Sequence, residues 1–205
     1  MFITFEGIDG AGKTTQLELL QAFLEEQGRR VVVSREPGGT ALGERIRELL
    51  LDGCDMSSRA EASLFAAARA ELVDAVIRPS LEQGFDVIVD RYLDSSLAYQ
   101  GIARGVDFDL LYEWNLHMIQ GLLPDRTFLL GLPAEDATLR LERPPDRLER
   151  ESVVFRRRVE EGYRELARRF PERIVELDAS ASREEIADLV RADVSRLLDA
   201  RAACS

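Results

Sequence analysis

Phe2-Ile3-Thr4-Phe5-Glu6-Gly7-Ile8-Asp9-Gly10-Ala11-Gly12-Lys13-Thr14-Thr15 is the stretch whose reading decides the fold. Phe2 to Glu6 is a short run suited to a strand, and an amphipathic helical pattern runs from Lys13 to about Gln27. Between them, Gly7 to Thr14 matches G-x-x-x-x-G-K-[ST] in the strand–turn–helix context that this motif requires. The glycines let the backbone curl so that several N–H groups point inward at phosphate oxygens, and the helix that follows adds its positive N-terminus. Lys13 supplies a point charge for β- and γ-phosphates, and the Thr14 hydroxyl is placed to ligate Mg²⁺. Gly7, Ile8, Asp9, Gly10, Ala11, Gly12, Lys13, Thr14 and Thr15 are therefore the candidate ATP-binding residues.

A strand–turn–helix with incidental glycines would match by chance on the order of once in a hundred chains of ~200 residues. Lysine usage sharpens the reading. Of the 27 basic residues Lys13 is the one lysine, and the planar fork of arginine does not replace a compact ammonium.

Working outward, Arg30–Ser34, Phe85–Val89, Arg126–Leu132 and Arg173–Leu177 read as further strands. Helical patterns cover about Ala41–Leu51, Arg59–Gln83, Leu110–Leu122, a stretch ending near Arg169, and Arg183–Leu198. Strands alternating with helices imply βαβ units, hence an α/β fold with a parallel sheet of about five strands covered by helices on both faces, of the P-loop NTPase type. Ligands in such sheets bind beyond the carboxyl ends of the strands, which points to the segments after Glu6, Ser34 and Val89. The absence of a repeat or low-complexity linker in 205 residues leads us to expect one domain over 1–205.

A net charge of −11 argues against a broad nucleic-acid or anionic-membrane surface, so phosphates must be held by a local cluster of positive groups. Cys54 and Cys204 lie far apart without metal-type spacing and read as free thiols. Residue 2 already begins the first strand, leaving no room for a cleaved signal, and no apolar stretch approaches a membrane span. A cytoplasmic protein is expected.

Asp86-Val87-Ile88-Val89-Asp90 has the form of a Walker B strand, with Asp90 as a candidate near the metal. A GTPase would need an N-K-x-D motif, and the one asparagine, Asn115, lies in Trp-Asn-Leu-His. Arg35, Arg47, Arg69 and Arg91 all fall near strand ends or on helices facing the expected cleft, which suits an anion site in an acidic chain.

Five segments carry a family resemblance: Phe5–Thr15 (FEGIDGAGKTT), Arg35–Thr40 (REPGGT), Leu64–Arg69 (LFAAAR), Asp90–Gly101 (DRYLDSSLAYQG) and Asp146–Glu151 (DRLERE). In this order, from about Phe2 to Leu198, the sequence resembles bacterial thymidylate kinases. The resemblance implies transfer of the γ-phosphate of Mg-ATP to dTMP, in a homodimer packed through helices. It implies that Phe65 stacks on thymine while Arg69 hydrogen-bonds O4, and at i and i+4 the two share a helix face. It further implies that Arg35, Arg47 and Arg91 hold the acceptor phosphate, that Ser96 and Gln100 meet the base edge, and that Tyr99 packs under the sugar. Asp9 would lie near the 3′-hydroxyl and the metal.

The acceptor would be a phosphate oxygen, mostly dianionic at neutral pH because its second pKa is about 6, so no general base is needed. Catalysis would rest on positioning and charge neutralisation by Lys13, Mg²⁺, Arg91 and a mobile arginine. The eukaryotic type of the family carries that arginine in the loop, where this chain has Gly10. The bacterial type supplies it from a lid, here about residues 139–150, with Arg147 and Arg143 favoured over Arg140. This lid is a few residues shorter than is common, and Pro144-Pro145 stiffens it. Two other readings remain: a deoxynucleoside kinase with Glu36 as the base for a neutral hydroxyl, and a nucleotide-binding protein without turnover.

Overall fold

The computed structural model describes residues 1–52, 55–140, 146–148 and 150–204. Five parallel strands form one sheet in the order β2-β3-β1-β4-β5: β1 (Phe2–Glu6), β2 (Val31–Arg35), β3 (Asp86–Asp90), β4 (Arg126–Gly131) and β5 (Ile174–Asp178). Every residue of β1 is buried, as expected of a central strand covered on both faces, whereas the edge strand β2 is half-exposed. Pairing places Phe5 beside both Asp90 and Phe128, and Arg35 beside Asp90. The carboxyl ends of β2, β3 and β1 therefore open at one level, with the glycine-rich turn leaving from the middle.

The helices are α1 (Lys13–Glu26), α2 (Ala41–Leu51), α3 (Ser58–Leu72), α4 (Arg78–Glu82), α5 (Leu93–Ser96), α6 (Phe108–Met118), α7 (Ala134–Leu139), α8 (Val153–Arg169) and α9 (Arg183–Cys204). α1 packs on α9 and on β1–β3, while α8 packs on β4, β5 and α5, and α3 contacts α2, α5 and α6. Side-chain caps fix where several of them begin. Thr40 Oγ1 accepts from Gly43 N at 2.9 Å, Asp107 from Leu110 N at 2.8 Å and Ser152 from Phe155 N at 3.1 Å. α1 is the exception that matters: it starts from Gly12 at φ +93° without a side-chain cap.

The structure corrects the sequence reading in three places. The helix expected over Arg59–Gln83 is interrupted by a π-helical turn at Val73–Ile77, just ahead of Pro79 in the first turn of α4. Proline lacks the N–H of the regular ladder and crowds the carbonyl four residues back, so the backbone widens there. Leu93–Ala103, assigned to no element above, is helical as α5 and a π-helical segment Leu97–Ala103. α7 likewise lacked a periodic signal, being a short element held by tertiary packing.

Candidate active site

The turn between β1 and α1 depends on glycine at two close approaches. A Cβ at Gly7, at φ +135°, would lie 2.6 Å from the Leu130 carbonyl oxygen. At Gly10, at φ +87°, it would lie 2.3 Å from the Ala137 carbonyl oxygen of α7. Lys13 reaches back across this turn, donating to the Gly7 and Ile8 carbonyls, both at 3.1 Å, with Asp9 Oδ1 at 3.6 Å. Burial, with Arg91 nearby, lowers the pKa of its ammonium.

Arg91 follows β3 and sits at φ +69°, a region that a non-glycine residue enters at a cost of roughly 1–2 kcal/mol. Its N–H bonds the Phe5 carbonyl at 2.9 Å, which ties the strand end to β1. The guanidinium then meets Asp9 Oδ1 at 2.8 Å, Ser95 Oγ at 3.2 Å and the Tyr163 hydroxyl at 3.0 Å, and lies over the Tyr99 ring. Beneath it Glu6 is fully buried. It accepts from Tyr92 N at 2.7 Å, Ser95 Oγ at 2.6 Å and the Tyr163 hydroxyl at 3.0 Å. Burial and then the neighbouring Asp94 push its carboxyl up to about 7.

A cleft of about 500 Å³ opens beside these groups. Asp9, Arg47 and Arg91 line it together with Glu36, Ser96, Tyr99, Gln100, Phe65 and Leu148. Phe65 belongs to a small apolar cluster with Ile46, Leu50 and Leu148, separate from the main core. Arg47 donates to the Pro37 carbonyl at 2.8 Å.

Other sequence-derived candidates lie elsewhere. Arg35 stays outside the lining, 54% exposed, with Glu44 at 3.0 Å. Arg69 is 0% exposed and stands behind the cleft wall, donating to Glu36 at 2.8 Å, the Tyr92 carbonyl at 3.1 Å, Ser96 Oγ at 3.1 Å and Asn115. Burial pushes the Glu36 carboxyl up to about 7 even though Arg69 pulls it down. Arg147 is turned toward Glu61 Oε2 at 2.6 Å and the Leu50 carbonyl at 2.7 Å, so among the described residues its bonds go to the α2–α3 side and not to the glycine-rich turn. Arg140 donates to the Ala179 carbonyl at 3.2 Å. Arg143, Pro144 and Pro145 lie outside the described residues, as does Cys54.

Several partners escaped the sequence reading. Tyr163 and Ser95 hold Arg91 and are themselves bonded to Glu6, Asn115 holds Arg69, and Glu61 gathers Gln100, Arg104 and Arg147. Glu6 offered one hint: a strongly polar residue that closes a buried strand must find partners.

A metal would find a fitting donor here. Asp90 Oδ1 is buried without a hydrogen-bond partner, at the end of β3 and within the field of Lys13 and Arg91. Among the described residues no group of three or more His, Cys, Asp or Glu forms a metal cage.

A glycine-rich turn opening an uncapped helix, a buried lysine in it, and an arginine-flanked acceptor cleft alongside define a P-loop phosphotransferase of the nucleoside monophosphate kinase type. Comparison with known proteins gives the family. A thymidylate kinase family model matches residues 5–190. The thymidylate kinase of Bifidobacterium longum subsp. infantis is 48% identical over 203 residues, covering 97% of this chain and 87% of that protein. That of Chlorobaculum parvum is 47% identical, covering 91% of each. The crystal structure of thymidylate kinase from Ehrlichia chaffeensis superposes with a TM-score of 0.76 at 35% identity, over 97% of this chain and 98% of that one. The chain belongs to the thymidylate kinase family and is a phosphotransferase.

Proposed function

We propose that the cleft holds dTMP and that the chain transfers the γ-phosphate of ATP to it, giving dTDP and ADP. The observation that carries this reading is the polarity of the cleft. Phe65, Ser96 and Gln100 line it on α3 and the helix after β3, and Arg47, Arg91 and Asp9 line it toward the phosphate-binding turn. A flat base with an anionic group one sugar away matches that arrangement.

In this reading Phe65 stacks on thymine, a contact worth roughly 1–3 kcal/mol, and Tyr99 packs under the sugar. Arg69 acts on the base side chiefly through Ser96 and Glu36, which it orients. Because Ser96 Oγ accepts from Arg69, its own O–H is free to donate into the cleft toward O4. Arg47 and Arg91 grip the acceptor phosphate. Arg35 joins them by leaving an exposed partner whose pairing is worth no more than about 1 kcal/mol. Asp9 sets the Arg91 and Lys13 side chains.

The acceptor oxygen is already anionic, so transfer needs in-line positioning and neutralisation of spreading charge, supplied by Lys13, Arg91 and a lid arginine. When Mg²⁺ is bound, Thr14 and Asp90 would hold it, and it would supply positive charge against the donor phosphates. Arg143 is the better lid candidate, because Arg147 is engaged by Glu61. We assign the lid to about residues 139–150 of a single domain, 1–205.

Exposed Leu42 and Leu49 on α2 and Leu110 and Trp114 on α6 flank α3, which supports a homodimer packed through these helices. Among the described residues no helix is long and apolar enough to cross a membrane, in keeping with a cytoplasmic enzyme.

The test is ADP formation from Mg-ATP with dTMP, dUMP, UMP, dCMP and thymidine each offered as acceptor. Strong preference for dTMP is expected. Turnover with thymidine alone would transfer the acceptor role to a neutral hydroxyl with Glu36 as base.

A further inference from the structure

Glu61 is buried in the first turn of α3, 1% exposed, outside the residues that line the cleft. Its Oε1 accepts from Gln100 Nε2 at 2.9 Å and from Arg104 Nε at 2.7 Å. Its Oε2 accepts from Arg104 Nη2 at 3.0 Å and Arg147 Nη2 at 2.6 Å. Burial pushes this carboxyl up, but hydrogen bonds from Arg104, Gln100 and Arg147 outweigh it and hold the pKa below the ordinary carboxylate value, so the group is ionised at neutral pH.

An ionised carboxylate only accepts. It therefore dictates which end of the Gln100 amide faces it: the NH₂ must, and the carbonyl must point the other way. A glutamine amide without such a neighbour is nearly symmetric in shape and turns over at little cost. Gln100 is itself buried and lines the cleft, so its orientation decides whether the base edge meets an acceptor or a donor.

We propose that Glu61 is a positioning residue that sets the hydrogen-bond polarity of the base site. By holding the Gln100 NH₂ it presents the carbonyl to the base edge, which favours a pyrimidine with a ring N–H donor and disfavours one with a ring nitrogen acceptor. Thymine and uracil carry that N–H at N3; cytosine carries a lone pair there. Glu61 thus discriminates 4-oxo from 4-amino pyrimidines without touching either, while the 5-methyl group lies outside its reach. This inference rests on the assignment of dTMP to the cleft.

Replacing Glu61 by glutamine keeps the shape and lets the Gln100 amide face either way. The kcat/KM ratio of dTMP over dCMP is expected to fall at least about tenfold in Glu61→Gln, mainly through KM, with the dTMP over dUMP ratio unchanged. Arg104→Gln, which leaves the Glu61–Gln100 bond in place, should retain the wild-type dTMP over dCMP ratio. Should the loss of the carboxylate beside Arg104 and Arg147 prevent Glu61→Gln from folding, Glu61→Gln/Arg104→Gln removes one positive charge together with the negative one and is read against Arg104→Gln. A parallel loss with all three acceptors, or an equal fall of the ratio in Arg104→Gln, would overturn the proposal in favour of a merely structural network. A wild-type enzyme indifferent to dTMP and dCMP would instead overturn the assignment of the cleft itself.

Discussion

Nη2 of Arg91 lies 2.8 Å from Oδ1 of Asp9, the same oxygen that Lys13 Nζ approaches at 3.6 Å. One carboxylate of the glycine-rich turn thus joins the cation assigned to the donor side to the one assigned to the acceptor side. A shared carboxylate holds the two cations near each other, an arrangement that would reduce the reorganisation demanded by transfer.

Arg91→Ala removes the cation assigned above to the acceptor phosphate. We expect kcat/KM for dTMP to fall by about 10²–10³, the size seen when one preorganised electrostatic group is deleted, with the ATP KM little changed. Steady-state ADP release with each substrate varied in turn decides it; a defect confined to ATP binding would contradict the acceptor-side role.

Lys13→Ala separates activity from stability. Turnover should drop by orders of magnitude, while the melting temperature stays level or rises, because burial already disfavours the Lys13 ammonium. Circular dichroism melting alongside the kinase assay tests both halves. Near-normal turnover would sink the donor-site assignment.

At Gly10 any side chain is penalised twice, by φ +87° and by a Cβ 2.3 Å from the Ala137 carbonyl oxygen. Gly10→Ala should cost at least about 1–2 kcal/mol. For a chain of this size that corresponds to several degrees of melting temperature. Gly10→Arg should be worse still, in keeping with the proposal that a lid arginine serves the transfer. Unchanged melting in Gly10→Ala would show that α7 yields freely.

Arg69→Ala leaves Glu36 buried without its cation and should destabilise by about 3–5 kcal/mol. In the folded fraction the dTMP KM should rise far more than the ATP KM, because Ser96 loses the donor that orients it. Equal effects on both substrates would argue against any base-side role.

Glu6 gives a pH signature. Its folded pKa of about 7 exceeds the unfolded value of 4.5, so the folded state binds the proton more tightly. Its contribution to stability is complete below pH 4.5 and is lost as the pH rises toward 7. Glu6→Gln lacks this loss. Denaturant unfolding at pH 5 and pH 7 should show the variant gaining on wild type with rising pH, by about 2 kcal/mol. A pH-independent gap would place Glu6 ionised throughout.

The five strands and the phosphate-binding turn were legible because their signals are local. An apolar run of strand length, a glycine spacing and one lysine among arginines require nothing beyond neighbouring residues to be read. The segment Leu93–Ala103 was recognisable as a motif but not as a helix, since Asp94, Ser95 and Ser96 carry no apolar period and owe their conformation to partners such as Glu6 and Arg173. The break near Pro79 was visible as a residue but not as a π-helical turn.

Residue chemistry thus settled which groups are present and on which elements: the lysine and glycines of the turn, the arginines at strand ends, and Phe65 and Arg69 on one helix. Tertiary structure decided which of them reach the cleft. Arg69 and Phe65 share a face, yet one lines the cleft and the other stands behind Ser96, because a guanidinium with four partners is held where those partners converge. Arg147 and Gln100 answer to Glu61, whose role depends on packing between segments far apart in the chain. Spacing along a chain specifies what can meet across one helix or one turn; the orientation of a buried polar group is set by whichever donor or acceptor folding brings against it.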